Sequence, residues 1–186
     1  MKSEYEKMLA GELYDFSDPE IESRMMRARR LVWQLNNTPP YEQQAYRRAL
    51  EELIPSIPES TYIVQPLFCD MGDRIYLGEE VFINSGCTML DTGGIRIGRH
   101  TKLGPGCRLY TPQHPIDYMQ RRGSVETAYG ITIGEDCWIG GSVTICPGVS
   151  IGDRVVVAAG SVVTRNVPDD VLVAGNPAVI KRRLRD

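Results

Sequence analysis

Few side chains in this sequence have the chemistry of a catalyst. There are two histidines, His100 and His114, and five cysteines, Cys69, Cys87, Cys107, Cys137 and Cys146. A neutral histidine takes a proton from a hydroxyl near pH 7. His114, in Tyr110-Thr111-Pro112-Gln113-His114-Pro115-Ile116-Asp117, reads either as such a base or as a loop histidine satisfied by local hydrogen bonds. The cysteines are odd in number and contain no CxxC pair, so they form neither a zinc set nor a disulfide framework and read as free thiols. Asp70, Asn84 and Asp91 interrupt apolar stretches. They are candidates to hold a substrate, or else corner residues, since Asn and Asp tolerate left-handed backbone. Glu126 and Arg121 read as ligand contacts or as solvated charges. The tail Lys181-Arg182-Arg183-Leu184-Arg185 reads as a phosphate grip or a solvated end.

The chain that must position these groups has 186 residues, enough for one domain with a small appendage. Its 42% apolar and 24% charged residues predict a folded soluble globule. The net charge of −3 gives no electrostatic case for a nucleic-acid partner. The N-terminus MKSEYEKMLAGELYDF has no signal-peptide core, and no stretch approaches 18 apolar residues. The expected setting is cytoplasmic, with no membrane contact.

The first third and the remainder differ in pattern. Ser17-Asp18-Pro19-Glu20 is a helix start, with a capping residue, Pro in the first turn and acid near the positive end. Ile21, Met25, Ala28, Val32 and Leu35 follow at helical spacing, and Asn36-Asn37-Thr38-Pro39-Pro40 stops the helix. A second helix is expected over Tyr41 to Ile54. Residues 1–58 thus read as a helical cap, and 59–186 as a different architecture.

From about Thr61 the sequence repeats every six residues. The cleanest run is ITIGED, CWIGGS, VTICPG, VSIGDR, VVVAAG, SVVTRN, from Ile131 to Asn166. The third position is Ile or Val in all of these. Positions one and three must point inward, as alternate residues of a short strand do. Position four is usually Gly, at a corner where a side chain would collide. Three edges make one triangular coil, stacked on the next at roughly 4.8 Å. The fold class is therefore mainly β, a parallel β-helix of hexapeptide type. Gly93-Gly94 inserts two residues at a corner. Residues 113–130 break the pattern without changing its phase, so they are a loop thrown out of the coil, and long loops in compact domains are usually functional. Cys69, Cys87 and Cys107 are spaced to occupy position one of successive coils and to stack as a ladder.

These residues resemble a known family. The hexapeptide repeats, the loop opening with HPID, the stretch from Ile131 to Asp170 and the phrase VAGNPA are similar to the maltose and galactoside O-acetyltransferases. EKMLAGELYDFSDPE, followed by Arg24, Ala28, Arg29, Leu31 and Asn36, resembles their cap. The resemblance spans nearly the whole chain and is nearer the maltose branch. It implies a left-handed coil, a homotrimer and acetyl-CoA bound in clefts between subunits, with no metal. It implies that His114 is the general base for direct attack of a sugar hydroxyl on the thioester, helped by Asn84. Tyr14, Asp15, Asp70, Asn84, Asp91 and Glu126 fall in the acceptor-site stretches. Trp138, Gly141, Ala159, Thr164 and Arg165 match the lining of the CoA arm, and Arg182 the residue nearest the adenosine phosphate. A backbone N–H near Gly140-Gly141 is the candidate for stabilising the oxyanion. The sequence departs from the pattern at Val179, where the family commonly has Arg, at Gly130 in place of Pro, and at Gly141 in place of Ser.

Other functions use similar coils. The γ-class carbonic anhydrases need three zinc-binding histidines, and this chain has two. A non-catalytic scaffold predicts no base, no long loop and no Trp138 or Arg165. Within the transferases, the alternative is an acceptor of another kind, an antibiotic or a cell-envelope sugar.

Overall fold

The computed structural model describes residues 2–39 and 41–185. Three helices come first among them, α1 (Glu4–Leu9), α2 (Pro19–Asn37) and α3 (Gln43–Leu53). Asp18 caps α2 by accepting from the Glu20 N–H at 3.0 Å, with Pro19 in the first turn. Ile21, Ala28, Leu31 and Leu35 form its buried stripe, as the spacing predicts. Pro40 of the expected stop lies outside the described residues, and α3 starts two residues later than expected. No helix is expected at α1 from the spacing of apolar residues. Its signal is a capping box, Ser3 to Glu6, in which each side chain bonds the other residue's backbone N–H.

The remainder is a parallel β-helix. Among the described residues its three faces are sheets of four, five and seven strands, and the last strand of the seven folds back antiparallel. Ile131 pairs with Ile95 and Ile133 with Ile97, in register across the expelled loop. These isoleucines are buried while Thr132 between them faces out. The glycine corners are as tight as the repeat implies. A Cβ on Gly104 would sit 2.5 Å from the Gly141 nitrogen, and one on Gly98 would sit 2.6 Å from the Gly134 carbonyl carbon. Positive φ falls instead at position six, as at His100 (φ 59), which faces Glu80 at the surface.

One expectation fails. Tyr62 pairs with Phe82, Leu67 with Cys87 and Ile75 with Ile95, so the first coils hold twenty residues. Cys69 therefore pairs with Met89 and stays half-buried, and Leu67 takes its place under Cys87. Cys87 and Cys107 do stack inside the coil, and all five cysteines are free thiols. The extra two residues lie in the turn 70–74, which follows strand Leu67–Cys69.

The expelled segment is tied down. Strand Pro112–Gln113 pairs antiparallel with Val125–Ala128, which pairs in turn with Tyr14–Asp15 from the cap. This small sheet joins cap to loop beside the coil. Among the described residues, no helix is long and apolar enough to cross a membrane.

Candidate active site

His114 follows the strand Pro112–Gln113, so the hairpin fixes its backbone. Its ring stands edge-on to Phe16, centroids 5.9 Å apart, and is about half exposed (55%). Nδ1 lies 3.5 Å from the Val125 carbonyl and 4.0 Å from Glu126 Oε2. Both neighbours are acceptors, an arrangement that favours the neutral tautomer with its proton on Nδ1 and its lone pair on Nε2. A base needs that tautomer.

The ring opens onto a cleft of about 450 Å³. Asp70, Leu90 and Pro112 line it from the coil side, Glu126 from the hairpin, and Phe16, Ser17, Glu22, Met25 and Arg29 from the cap. Burial pushes the Asp70 carboxyl up to about 7, with the Asp91 and Glu126 carboxylates adding to the shift and Arg29 opposing it. At neutral pH it both donates and accepts, which suits a hydroxyl partner. Burial also raises Glu126, against a hydrogen bond from Tyr14 and the attraction of His114.

The structure sorts the sequence candidates. His114, Asp70 and Glu126 meet in the cleft. Tyr14 does not reach it as a ligand contact: the side chain is buried (1% exposed) and its hydroxyl donates to Glu126. Asp15 does not line the cleft, and it accepts from the backbone N–H and the hydroxyl of Ser17 at 2.9 and 2.6 Å. Asp91 lies beneath the cleft with no exposure. Its Oδ1 accepts from the N–H groups of Asp70 (3.1 Å) and Met71 (2.8 Å), and its Oδ2 from those of Gly72 (2.8 Å) and Arg74 (3.3 Å). It is the hub of the turn that carries Asp70 and has no lone pair to offer a substrate. The cap residues Phe16, Met25 and Arg29 were missed as cleft residues. Glu22, Met25 and Arg29 are spaced i, i+3, i+7 on α2, and that shared helix face was their signal.

Asn84 stands elsewhere, at the corner after strand Phe82–Ile83, level with Gly104 of the next coil. Its φ is not positive, and its Oδ1 accepts from the Ser85 N–H at 2.8 Å. Trp138 projects from the seven-stranded face, 60% exposed. Gly141 and Ala159 follow strands of that face, at Asn84's corner. Thr164 and Arg165 are exposed at the corner of His114, two coils along. Arg182 is exposed on the terminal antiparallel strand, opposite Leu172. The Gly140 N–H is committed to the Val157 carbonyl at 2.8 Å, which leaves Gly141 as the oxyanion candidate of the two.

A hexapeptide coil with a helical cap and an expelled hairpin that presents a histidine to a polar cleft defines a hexapeptide-repeat acyltransferase. The comparisons narrow the class. The profile described as the maltose acetyltransferase hexapeptide capping motif matches residues 7–58, and the hexapeptide repeat of succinyl-transferase matches residues 130–165. A putative acetyltransferase of Saccharomyces cerevisiae is 36% identical, over 97% of this chain and 93% of its own length. A maltose O-acetyltransferase structure from Clostridium difficile superposes with a TM-score of 0.97 at 36% identity, covering 100% and 99% of the two chains. A hexapeptide-repeat acetyltransferase of Vibrio cholerae, solved with acetyl-CoA, gives 0.92 at 40% identity over the full length of both. The chain belongs to the hexapeptide-repeat acetyltransferases that carry the maltose acetyltransferase cap, and it is an acetyltransferase.

Proposed function

We propose that this protein transfers an acetyl group from acetyl-CoA to a sugar hydroxyl by direct attack, with His114 as general base. The observation that carries this reading is the setting of His114: Nδ1 faces two acceptors, the Val125 carbonyl and Glu126 Oε2, and the residue lines the cleft. As the acceptor oxygen bonds to the acetyl carbon, Nε2 takes its proton, and the same proton then goes to the departing thiolate. General-base help of this kind is worth about 10²–10⁴-fold. Asp70 holds the acceptor from the coil side and Arg29 and Phe16 from the cap. The Gly141 N–H faces the charge that develops on the carbonyl oxygen. A sugar acceptor accords with the polar lining and with the maltose enzyme among the similar structures.

The working unit is a homotrimer in the cytoplasm. Each subunit consists of a cap over residues 1–58 and a coil over 59–186. Asn84 stands at a different corner and one coil before His114, so Asn84 serves His114 only if a second copy brings it there. The acetyl-CoA residues are split in the same way: Trp138, Gly141 and Ala159 on Asn84's side, Thr164 and Arg165 on His114's, with Arg182 beyond. The outward column Tyr62, Phe82, Lys102, Trp138, Val156, Leu172 on the seven-stranded face is largely apolar, as a subunit interface requires. The test is His114→Ala. Turnover should fall at least about 100-fold, while acetyl-CoA still binds in calorimetry. Near-normal transfer to any sugar in a panel, read as thiol release, would sink the mechanism.

A further inference from the structure

Tyr14 is a large polar side chain sealed inside the molecule, and the mechanism above gives it no task. It belongs to the cap strand Tyr14–Asp15 and stands directly opposite Glu126 in the antiparallel pairing. Its hydroxyl donates to Glu126 Oε1. The buried Thr92 hydroxyl lies against the same phenol. Glu126 is itself 8% exposed, and its second oxygen, Oε2, lies 4.0 Å from His114 Nδ1. The chain of groups therefore runs Thr92, Tyr14, Glu126, His114, from the coil interior to the cleft. The other carboxylate facing it is Asp70.

A carboxylate with two free oxygens in a buried site rotates about its last bond and competes for any donor within reach. Engaging Oε1 with a rigid phenol removes that freedom and leaves Oε2 on the His114 side. Burial alone raises Glu126, and the Tyr14 hydroxyl opposes that shift by bonding the ionised form. An anion near Nδ1 favours the tautomer with its proton there and stabilises the ring when Nε2 gains a second.

We propose that Tyr14 is a positioning residue for the base: it fixes Glu126 so that Glu126 holds His114 with Nδ1 protonated and Nε2 facing the substrate. The cap is then part of the acetyl-transfer machinery. This assignment rests on the proposed role of His114, and it moves Tyr14 and Glu126 from acceptor binding to orientation of the base.

The test is Tyr14→Phe, which keeps the ring and removes only the hydroxyl. A base misplaced by about an ångström costs about 100-fold. Tyr14 acts one group removed, so kcat should fall about tenfold, with KM for both substrates within about twofold. In a Glu126→Gln background the same change should cost nothing further. A second readout needs no turnover. The protein has two histidines, so the ring nitrogens of His114 can be followed by ¹⁵N NMR at pH 8 and assigned by their loss in His114→Ala. Tyr14→Phe and Glu126→Gln should each lower the Nδ1–H fraction of His114 and leave His100 unchanged. An unchanged tautomer in both variants overturns the proposal. So does a tenfold loss that recurs in full on top of Glu126→Gln, because that is the behaviour of a packing residue. The NMR result is obtained without substrate, so it separates failure of the relay from failure of the acetyl-transfer reading.

Discussion

Asp91→Asn tests whether an acid that interrupts an apolar repeat binds a ligand or builds a turn. Asp91 is fully buried, and four backbone N–H groups point at its two oxygens. Asn replaces one oxygen by an NH2 group. Two N–H donors, either those of Asp70 and Met71 or those of Gly72 and Arg74, then face another donor. Each buried N–H left unpaired costs about 1–3 kcal/mol. The loss is therefore about 2–6 kcal/mol, against a total stability of roughly 5–15 kcal/mol for a folded domain. In a domain of this size each kcal/mol moves Tm by about 2–4 °C, so even a 3 kcal/mol loss lowers Tm by about 6–12 °C. Circular dichroism melts, with acceptor KM measured on the same samples, decide the matter. KM should rise only together with the loss of stability, since the turn that carries Asp70 loosens. A Tm within about 2 °C of wild type with a tenfold higher KM would make Asp91 a direct substrate contact and refute the reasoning.

Three further outcomes follow from single features. The Asp70 carboxyl is pushed up to about 7 by burial and by its acidic neighbours. The native state therefore holds a proton that the unfolded chain releases, and stability falls as pH rises from about 4 through 7. Asp70→Asn should raise Tm more at pH 8 than at pH 5 in parallel melts, and an equal shift at both would contradict the assignment. Gly104→Ala drives a Cβ to 2.5 Å from rigid backbone, whereas Gly160 (φ +72) has nothing within 4 Å. Gly104→Ala should cost about 1–3 kcal/mol or more and exceed Gly160→Ala in urea titrations; the reverse order would show that the coil corner yields. Sedimentation should give a mass of about three 20.8 kDa chains, and a stable, active monomer would contradict the shared cleft.

The coil was legible because its constraint is local and repeated. Every edge must alternate inward and outward, and every corner at position four must accept the backbone of the next coil, so Ile131, Ile133, Gly104 and Gly140 each repeat the same information. The misplacement of Cys69 shows the limit. The extra residues of the 70–74 turn carry no doubled glycine to mark them, and what holds that turn is Asp91, twenty residues away from Met71 in sequence. Asp91 stays open in the sequence between a substrate contact, which the resemblance implies, and a corner residue, because composition reveals a polar residue in an apolar repeat but not the donors that surround it. His114 could be found because it opens the one long break in the phase. The spacing of Glu22, Met25 and Arg29 records a shared helix face, but that this face and Phe16 meet the coil is decided by tertiary packing, which no spacing records.

That division bears on how such a coil acquires an acceptor. The coil and its 70–74 turn supply Leu90 and Asp70 to the cleft and the hairpin supplies Pro112 and Glu126, whereas Phe16, Ser17, Glu22, Met25 and Arg29 come from the cap. His114 stands off the coil wall. Its ring packs edge-on against Phe16, which follows the cap strand, and its Nδ1 faces the Val125 carbonyl and Glu126 of the hairpin. The coil is a ruler that sets distances along its axis, where Thr164 and Arg165 lie roughly 10 Å from the level of His114 at two steps of about 4.8 Å. On the proposed reading of the cleft, a change in the cap or the hairpin alters the acceptor side without disturbing any inward Ile or corner Gly. Exchanging the face Glu22, Met25, Arg29 should therefore change which hydroxyl compound is acetylated and leave acetyl-CoA affinity as it was. Loss of acetyl-CoA binding on that exchange would mean that cap and coil do not divide the work in this way.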